Sequence, residues 1–264
     1  MKYLNYFLFL IPALCFSQTR DSLAPKVSHA EPLYLDLVRD LGARRGEKEI
    51  NVGVDFRSHK NYNQYGFLVE YEFAPINRFA LEVEADLSLI HKRNDSASYV
   101  PGSKLECLRF SSQYSFYVNP NIQTSLAMGY TQIVEFTDFR NYRKSPFIEA
   151  TVFNPFFIAA KKWGKNFHTL MYGGPLVSYE FMHDKWDING QINTSIHYNI
   201  PHTKNFIGIE LNKEFIGKRF EMTFRPQVKV KLSKQLALGI VGGIPLHKPT
   251  ENFSTFLRLI YDLK

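Results

Sequence analysis

The sequence predicts an all-β protein: a transmembrane, antiparallel up-and-down β-barrel of about twelve strands behind a short N-terminal helix. Three observations carry this: segments of strict period two, an apparent export signal ahead of them, and connections that alternate in length. The alternation is clearest over residues 186–200. Trp186, Ile188, Gly190, Ile192, Thr194, Ile196, Tyr198 and Ile200 form one row. Asp187, Asn189, Gln191, Asn193, Ser195, His197 and Asn199 form the other. Successive side chains of a strand point to opposite faces, so one face is apolar and the other polar.

From the N-terminus, Lys2 and the apolar run 3–16 followed by Ser17 read as a signal peptide over 1–17. Residues 18–48 read as a periplasmic segment that could plug a lumen, and 49–264 as the barrel. Within the segment, Glu31-Pro32 opens a helical pattern with Leu33, Leu37, Val38 and Leu41 on one side, and Gly42 can end it.

Strands follow over 50–57, 65–73, 79–89, 105–118 and 122–136. Alternation weakens over 147–160 and 167–181, where Asn154-Pro155 suggests a bulge or break. The remaining strands are 186–200, 206–215, 220–232, 236–244 and 253–263. Many reach the roughly 9–11 residues that cross a bilayer, above the usual 5–6 of soluble sheets. Aromatics near strand ends, such as Phe79, Trp163, Tyr179, Trp186 and Tyr261, suit interfacial girdles.

Short turns are expected at 74–78, 119–121, 161–165, 201–204 and 233–235. Longer links are expected at 58–64, 90–104, 137–145, 182–185 and 245–252, and the short link at 216–219 breaks the trend. Outer-membrane barrels have short periplasmic turns and longer external loops, which puts both termini in the periplasm. The last residue, Lys264, is not the terminal aromatic common in such barrels. Recognition by the barrel-assembly machinery would then rest on Tyr261 and its apolar neighbours.

The stretch His29-Ala30-Glu31-Pro32-Leu33-Tyr34-Leu35-Asp36-Leu37-Val38-Arg39-Asp40-Leu41-Gly42-Ala43-Arg44-Arg45-Gly46-Glu47-Lys48-Glu49 resembles the start of a family of outer-membrane barrels of Bacteroidota-type bacteria. The later 69–78 and 81–84 are similar to it too. The resemblance implies a fold and a location and carries no mechanism.

Composition narrows the partners. The 264 residues carry 23 Phe and 15 Tyr and a net charge of +7, yet mean hydropathy is only −0.23. Basic residues form no tract, which argues against nucleic acid. Basic loops suit anionic lipid headgroups or lipopolysaccharide instead. With the leader removed, Cys107 stands alone, so neither an internal disulfide nor a cysteine metal site is expected.

Candidate functional residues lie on the polar rows. Glu70, Glu72, Glu82, Glu84 and Asp86 would line one lumen wall. If the turn centres on Ile76, Glu70 lies opposite Glu82, and like charges facing across strands destabilise a sheet. Compensation could come from a raised pKa, a bound cation or basic side chains: a basic wall of Arg109, Arg225, Lys229, Lys231 and Arg258, or Arg39, Arg44, Arg45 and Lys48 on the plug segment. No histidine sits at ligand spacing among the carboxylates, so no metal site is expected, and no cofactor motif appears. None of the eight histidines is followed two residues later by serine, and the Ser195/His197 pair falls on the lumen row.

The leading expectation is a narrow, passive outer-membrane channel for small polar or charged solutes. A closed structural or interaction barrel with a plugged lumen is the alternative. A lipid-modifying enzyme, which would need Ser and His at the lipid boundary, comes third, and no catalytic residue is assigned.

Overall fold

The computed structural model describes residues 24–35, 37–93, 100–248 and 251–263; the expected leader at 1–17 lies outside them. The described residues form twelve strands. They are β1 (Lys48–His59), β2 (Tyr62–Ile76), β3 (Phe79–Lys92), β4 (Lys104–Asn119), β5 (Thr124–Phe136) and β6 (Ile148–Trp163). Then come β7 (Phe167–Glu180), β8 (Lys185–Asn199), β9 (Phe206–Ile216), β10 (Arg219–Lys231), β11 (Leu236–His247) and β12 (Glu251–Leu263). Each pairs with its sequence neighbour, and β1 pairs with β12 to close the sheet. Closure leaves no open edge of unpaired backbone groups.

On β8, Ile188 is 70% exposed, whereas Asn193 and His197 are 4% and 1% exposed. The apolar row faces outward and the polar row inward, the reverse of a soluble sandwich.

The connections are less regular than expected. The end that carries Lys48, Leu263 and the Asn77-Arg78 turn is called here the turn end, and the other the loop end. Of the loop-end links, 93–103 and 137–147 are long, but β1 and β2 are joined by Lys60-Asn61 alone. The strands run on through most of 58–64 and 245–252, which sequence assigns to loops.

Three further expectations are corrected. First, no helix forms among the described residues of 24–47. The positive φ of Arg39 (63°) falls inside the expected run and interrupts it. Asp36 lies outside the described residues. Second, the β2–β3 turn centres on Asn77-Arg78, with Ile76 opposite Phe79 and a register shift before it. Glu70 therefore faces Glu84, and Glu72 faces Glu82. Third, of the bulge or break expected at Asn154-Pro155, the break in the β6–β7 ladder forms and the bulge does not. β6 and β7 keep one register on either side of 154–156, and rungs are missing where Pro155 and Pro175, both lacking N–H groups, approach. Asn154 Nδ2 donates to Pro175 O at 2.9 Å across the gap.

The weak alternation of β6 and β7 has a physical reason. Their inward positions Phe156, Ile158, Ala160, Leu170 and Tyr172 are apolar because they pack on Leu37, Val38, Leu41 and Ala43 of the N-terminal segment. Ala74, Ala80 and Ala127 complete this collar at the turn end. A second cluster joins Ala30 and Leu33 to Phe206, Ala237, Val241, Phe256 and Ile260.

An outward apolar row is stable only against lipid. Ile192→Arg, near the middle of β8, is expected to cost about 2–4 kcal/mol in refolding into lipid vesicles. An unchanged folding free energy would show that this face does not meet hydrocarbon.

Candidate functional site

The carboxylates of β2 and β3 lie together on the inner face. Glu70, Glu72, Glu82 and Glu84 are all buried. Asn51 on β1 sits between them and donates from Nδ2 to Glu70 Oε1 (2.7 Å) and Glu72 Oε1 (2.8 Å). Arg258 on β12 reaches past it to both oxygens of Glu70, at 2.8 and 2.9 Å. Arg109 on β4 pairs with Glu84 and, at 2.9 Å, with Asp86. Ser111 donates to Glu82 at 2.9 Å. Oxygens of Glu70, Glu72 and Glu82 fall within 4.8 Å of one another.

The expected separation into an acidic and a basic wall is therefore not what forms. Arg109 and Arg258 are interleaved with the acids they neutralise. This follows from topology, since β4 adjoins β3 and β12 is only two strands from β2. The other three candidates lie elsewhere. Arg225 is buried, donates to Asn212 Oδ1 at 2.6 Å and stacks its guanidinium 3.3 Å over the Tyr34 ring. Lys231 pairs with Asp262 at 3.0 Å. Lys229, half-buried on β10, sits in register with Phe206 and Gly239.

Among the described residues, the basic residues of the N-terminal segment form no ion pair with the carboxylate cluster, though Arg39 stands within electrostatic reach of Glu72. Arg39 pairs with Glu49 and, at 3.3 Å, with Asp262. Arg44 Nε donates to Ala24 O, the backbone N–H of Arg45 donates to Asn77 Oδ1, and the side chains of Arg45 and Lys48 are exposed. Lys26, paired with Asp40 (2.7 Å) and Glu47 (2.8 Å), completes an ionic rim at the turn end. Burial opposes the Lys26 charge, but these two carboxylates hold its pKa above 10.5.

Sequence reasoning missed the residues that receive the segment's backbone. The amide N–H groups of Ala30, Leu33, Leu35 and Gly42 donate to His168 Nδ1, Gln227 Oε1, Glu210 Oε1 and Ser115 Oγ. Gln113 donates back to Arg39 O at 3.1 Å. These receivers stand on β4, β7, β9 and β10, so the segment lies inside the ring of strands. The available signal was long polar side chains on inner rows at the turn end, with nothing local to say what they hold.

Above the segment is a cavity of about 660 Å³ whose floor includes Tyr34, Leu35 and Val38. It reaches toward the loop end, where the lining residues Glu106 and Glu180 are partly exposed. The Ser195 hydroxyl and both His197 nitrogens are buried without a hydrogen-bond partner, so the two residues form no dyad. His29 Nε2 does meet Ser125 Oγ at 2.9 Å, beneath the segment and with Ser125 fully buried.

Two predictions follow from this geometry. Arg258→Ala takes the guanidinium from the buried Glu70 carboxyl group and is expected to cost about 3–5 kcal/mol in urea unfolding; a loss below 1 kcal/mol would deny the pair its weight. The second concerns pH. Burial first, and then His168, push His29 down to about 4. Burial first, and then Asp40, push Glu31 up to about 8. A released segment would titrate at the ordinary values, near 6.5 and 4.5. As pH falls from 6.5 to 4, the released form takes up a proton at His29 that the docked form refuses, so docking weakens. As pH rises from 4.5 to 8, the released form loses the Glu31 proton that the docked form keeps, and docking weakens again. Proteinase K cleavage within 24–47 should therefore be slowest between about pH 4.5 and 6.5. Glu31→Gln should remove the alkaline limb and, with only His29 left, make cleavage slowest above about pH 6.5; a pH-independent rate would overturn the assignment.

Solved structures share this architecture. An outer membrane channel from Pseudomonas putida F1 matches with a TM-score of 0.66 at 12% identity, covering 85% of this chain and 98% of that one. The KdgM porin matches at 0.57 and 12% identity, over 82% of this chain and 99% of that one. The NanC porin matches at 0.58 and 9% identity, over 81% and 99%. At these identities the likeness concerns the fold. Among curated protein sequences nothing matches. A family model described as HAEPLYID-like matches residues 25–262, and its name nearly spells the octet that begins at His29, with Leu35 in place of isoleucine. The chain thus belongs to the HAEPLYID-like family.

Proposed function

We propose that this protein is an outer-membrane barrel that passes small polar or charged solutes, with residues 24–47 acting as a plug at its periplasmic end. The observation that carries the reading is a polar cavity inside an apolar-faced barrel, floored by the protein's own N-terminal segment. The fold shared with two porins and an outer membrane channel supports it. One of those porins was solved in complex with oligogalacturonate, a polar solute.

In this reading residues 1–17 are the export signal of a Gram-negative, Bacteroidota-type cell. The turns and both termini lie in the periplasm, and the links 93–103 and 137–147 face lipopolysaccharide outside. The barrel-assembly machinery would insert the chain. The paired carboxylates and arginines line the path and set its selectivity. Transport needs no cofactor and no bond-making chemistry.

A second reading, a closed structural or interaction barrel, is favoured by the density of the plug. Leu41 is 0% exposed within the apolar collar, and ion pairs rim it. Planar-bilayer recordings separate the two. The intact protein is expected to be closed or nearly so, and deletion of residues 24–47 to give steady, ion-selective conductance. Glu82→Gln in the deleted form should shift the reversal potential. Silence from both forms, each folded and heat-modifiable, would leave the closed barrel as the answer.

A further inference from the structure

The cavity above the plug is acidic although the chain is basic. Eight carboxylate side chains line it against four cationic ones, whereas the whole chain carries +7. Each of those four cations is already matched to a carboxylate. Arg57 pairs with Asp55, Lys104 with Glu106, Arg109 with Glu84 and Asp86, and Arg258 with Glu70. Among the described residues, no cationic side chain lies within ion-pair distance of Glu82 or Glu135, which line the same space. The surplus in the cavity is therefore negative.

A second observation points to a ligand with N–H donors. Asp55, Gly66 and Ser88 stand in one row across β1, β2 and β3. Gly66 has no side chain, and the Asp55 carboxylate lies directly over it: a Cβ there would fall 1.9 Å from Oδ1. Asp55 is 8% exposed and Ser88 1%. Asp55 Oδ1 and Ser88 Oγ are both buried and have no hydrogen-bond partner. Both residues line the cavity. A buried acceptor left unpaired costs about 1–3 kcal/mol, and here two stand in one row on the wall of one cavity, the Asp55 carboxylate filling the space over Gly66 between them.

Resting on the channel reading above, we propose that the cavity binds a small organic cation bearing a primary ammonium group, which donates to Asp55 Oδ1 and Ser88 Oγ. An ammonium has three donors and no acceptor, so it satisfies both oxygens without presenting a lone pair to the surrounding carboxylates. An anion would meet the surplus negative charge with no unmatched cation to hold it. A volume of about 660 Å³ suits a small solute rather than a folded partner.

The test is isothermal titration of the detergent-solubilised protein with 1,5-diaminopentane and with glutarate, chains of similar length and opposite charge. The diamine should bind saturably and glutarate should not. Asp55→Asn and, separately, Ser88→Ala should each weaken the diamine about tenfold. Ser88→Ala removes no charge, so it serves if the Asp55 variant misfolds. Glutarate binding, no binding of either compound, or unchanged affinity in both variants would overturn the proposal. So would calcium chloride excluding the diamine at matched ionic strength, which would reassign the oxygens to a metal. Diamine binding by a protein that never conducts would keep this site and reject the channel. Conductance without diamine binding would keep the channel and reject this site.

Discussion

A closed sheet sends every second side chain into a lumen, and in a barrel of this size those groups must satisfy one another. The contact that expresses this constraint most directly is Arg258 with Glu70. Arg258 stands on β12 and Glu70 on β2, so the pair crosses the seam where β1 and β12 close the barrel. Asn51 on β1 lies beneath and ties Glu70 to Glu72. A slip of one residue at the seam would turn Arg258 outward to the apolar face and leave Glu70 without its guanidinium. Buried ion pairs add little net stability against apolar substitutes, because desolvation offsets attraction. Their weight here is better placed in register: one closure satisfies the cluster and its neighbours do not.

The same constraint governs the N-terminal segment. An extended chain inside a barrel brings backbone N–H groups with no ladder to join. The inner wall supplies acceptors instead, one each from His168, Gln227, Glu210 and Ser115. Apolar side chains between those anchors fill the collar of alanines and larger residues at the turn end. The lumen is thus divided by its occupants. At the turn end the rows of β6 and β7 are a protein core in composition, whereas β1, β2 and β3 keep there the polar rows that alternation predicts.

That division explains what the sequence could and could not reveal. Rows such as 186–200 are legible because period two is a local property, and the closed twelve-stranded fold follows from counting them. The strand register at the β2–β3 turn is less legible, because one shift before Ile76 moves Glu70 from Glu82 to Glu84. The mistaken helix has a different origin. Leu33, Leu37, Val38 and Leu41 are apolar at helical spacing, but they serve two walls: Leu33 enters the cluster with Phe256, and the others the collar with Ile158. A segment surrounded on all sides need not gather its apolar residues on one face. The partners of the candidate charges lie up to 223 residues away. No local pattern encodes that distance, so two walls were expected where one interleaved belt forms.

Segment and cavity are not independent, because the cavity floor is the segment. Tyr34, Leu35 and Val38 line it, and Tyr34 also carries the Arg225 guanidinium on its ring. A solute that touches this floor alters the free energy of docking, and by reciprocity docking alters the solute's affinity by the same factor. The two holds on the segment respond differently to conditions. The rim of Lys26, Arg39 and their carboxylates is partly exposed and weakens with salt. The apolar collar does not weaken with salt, and strongly excluded salts tighten it. Ionic strength alone would therefore loosen the rim and leave Leu41 seated. Opening the lumen requires a step that competes for the collar or for the floor, and the floor is the part a solute entering from the loop end reaches first.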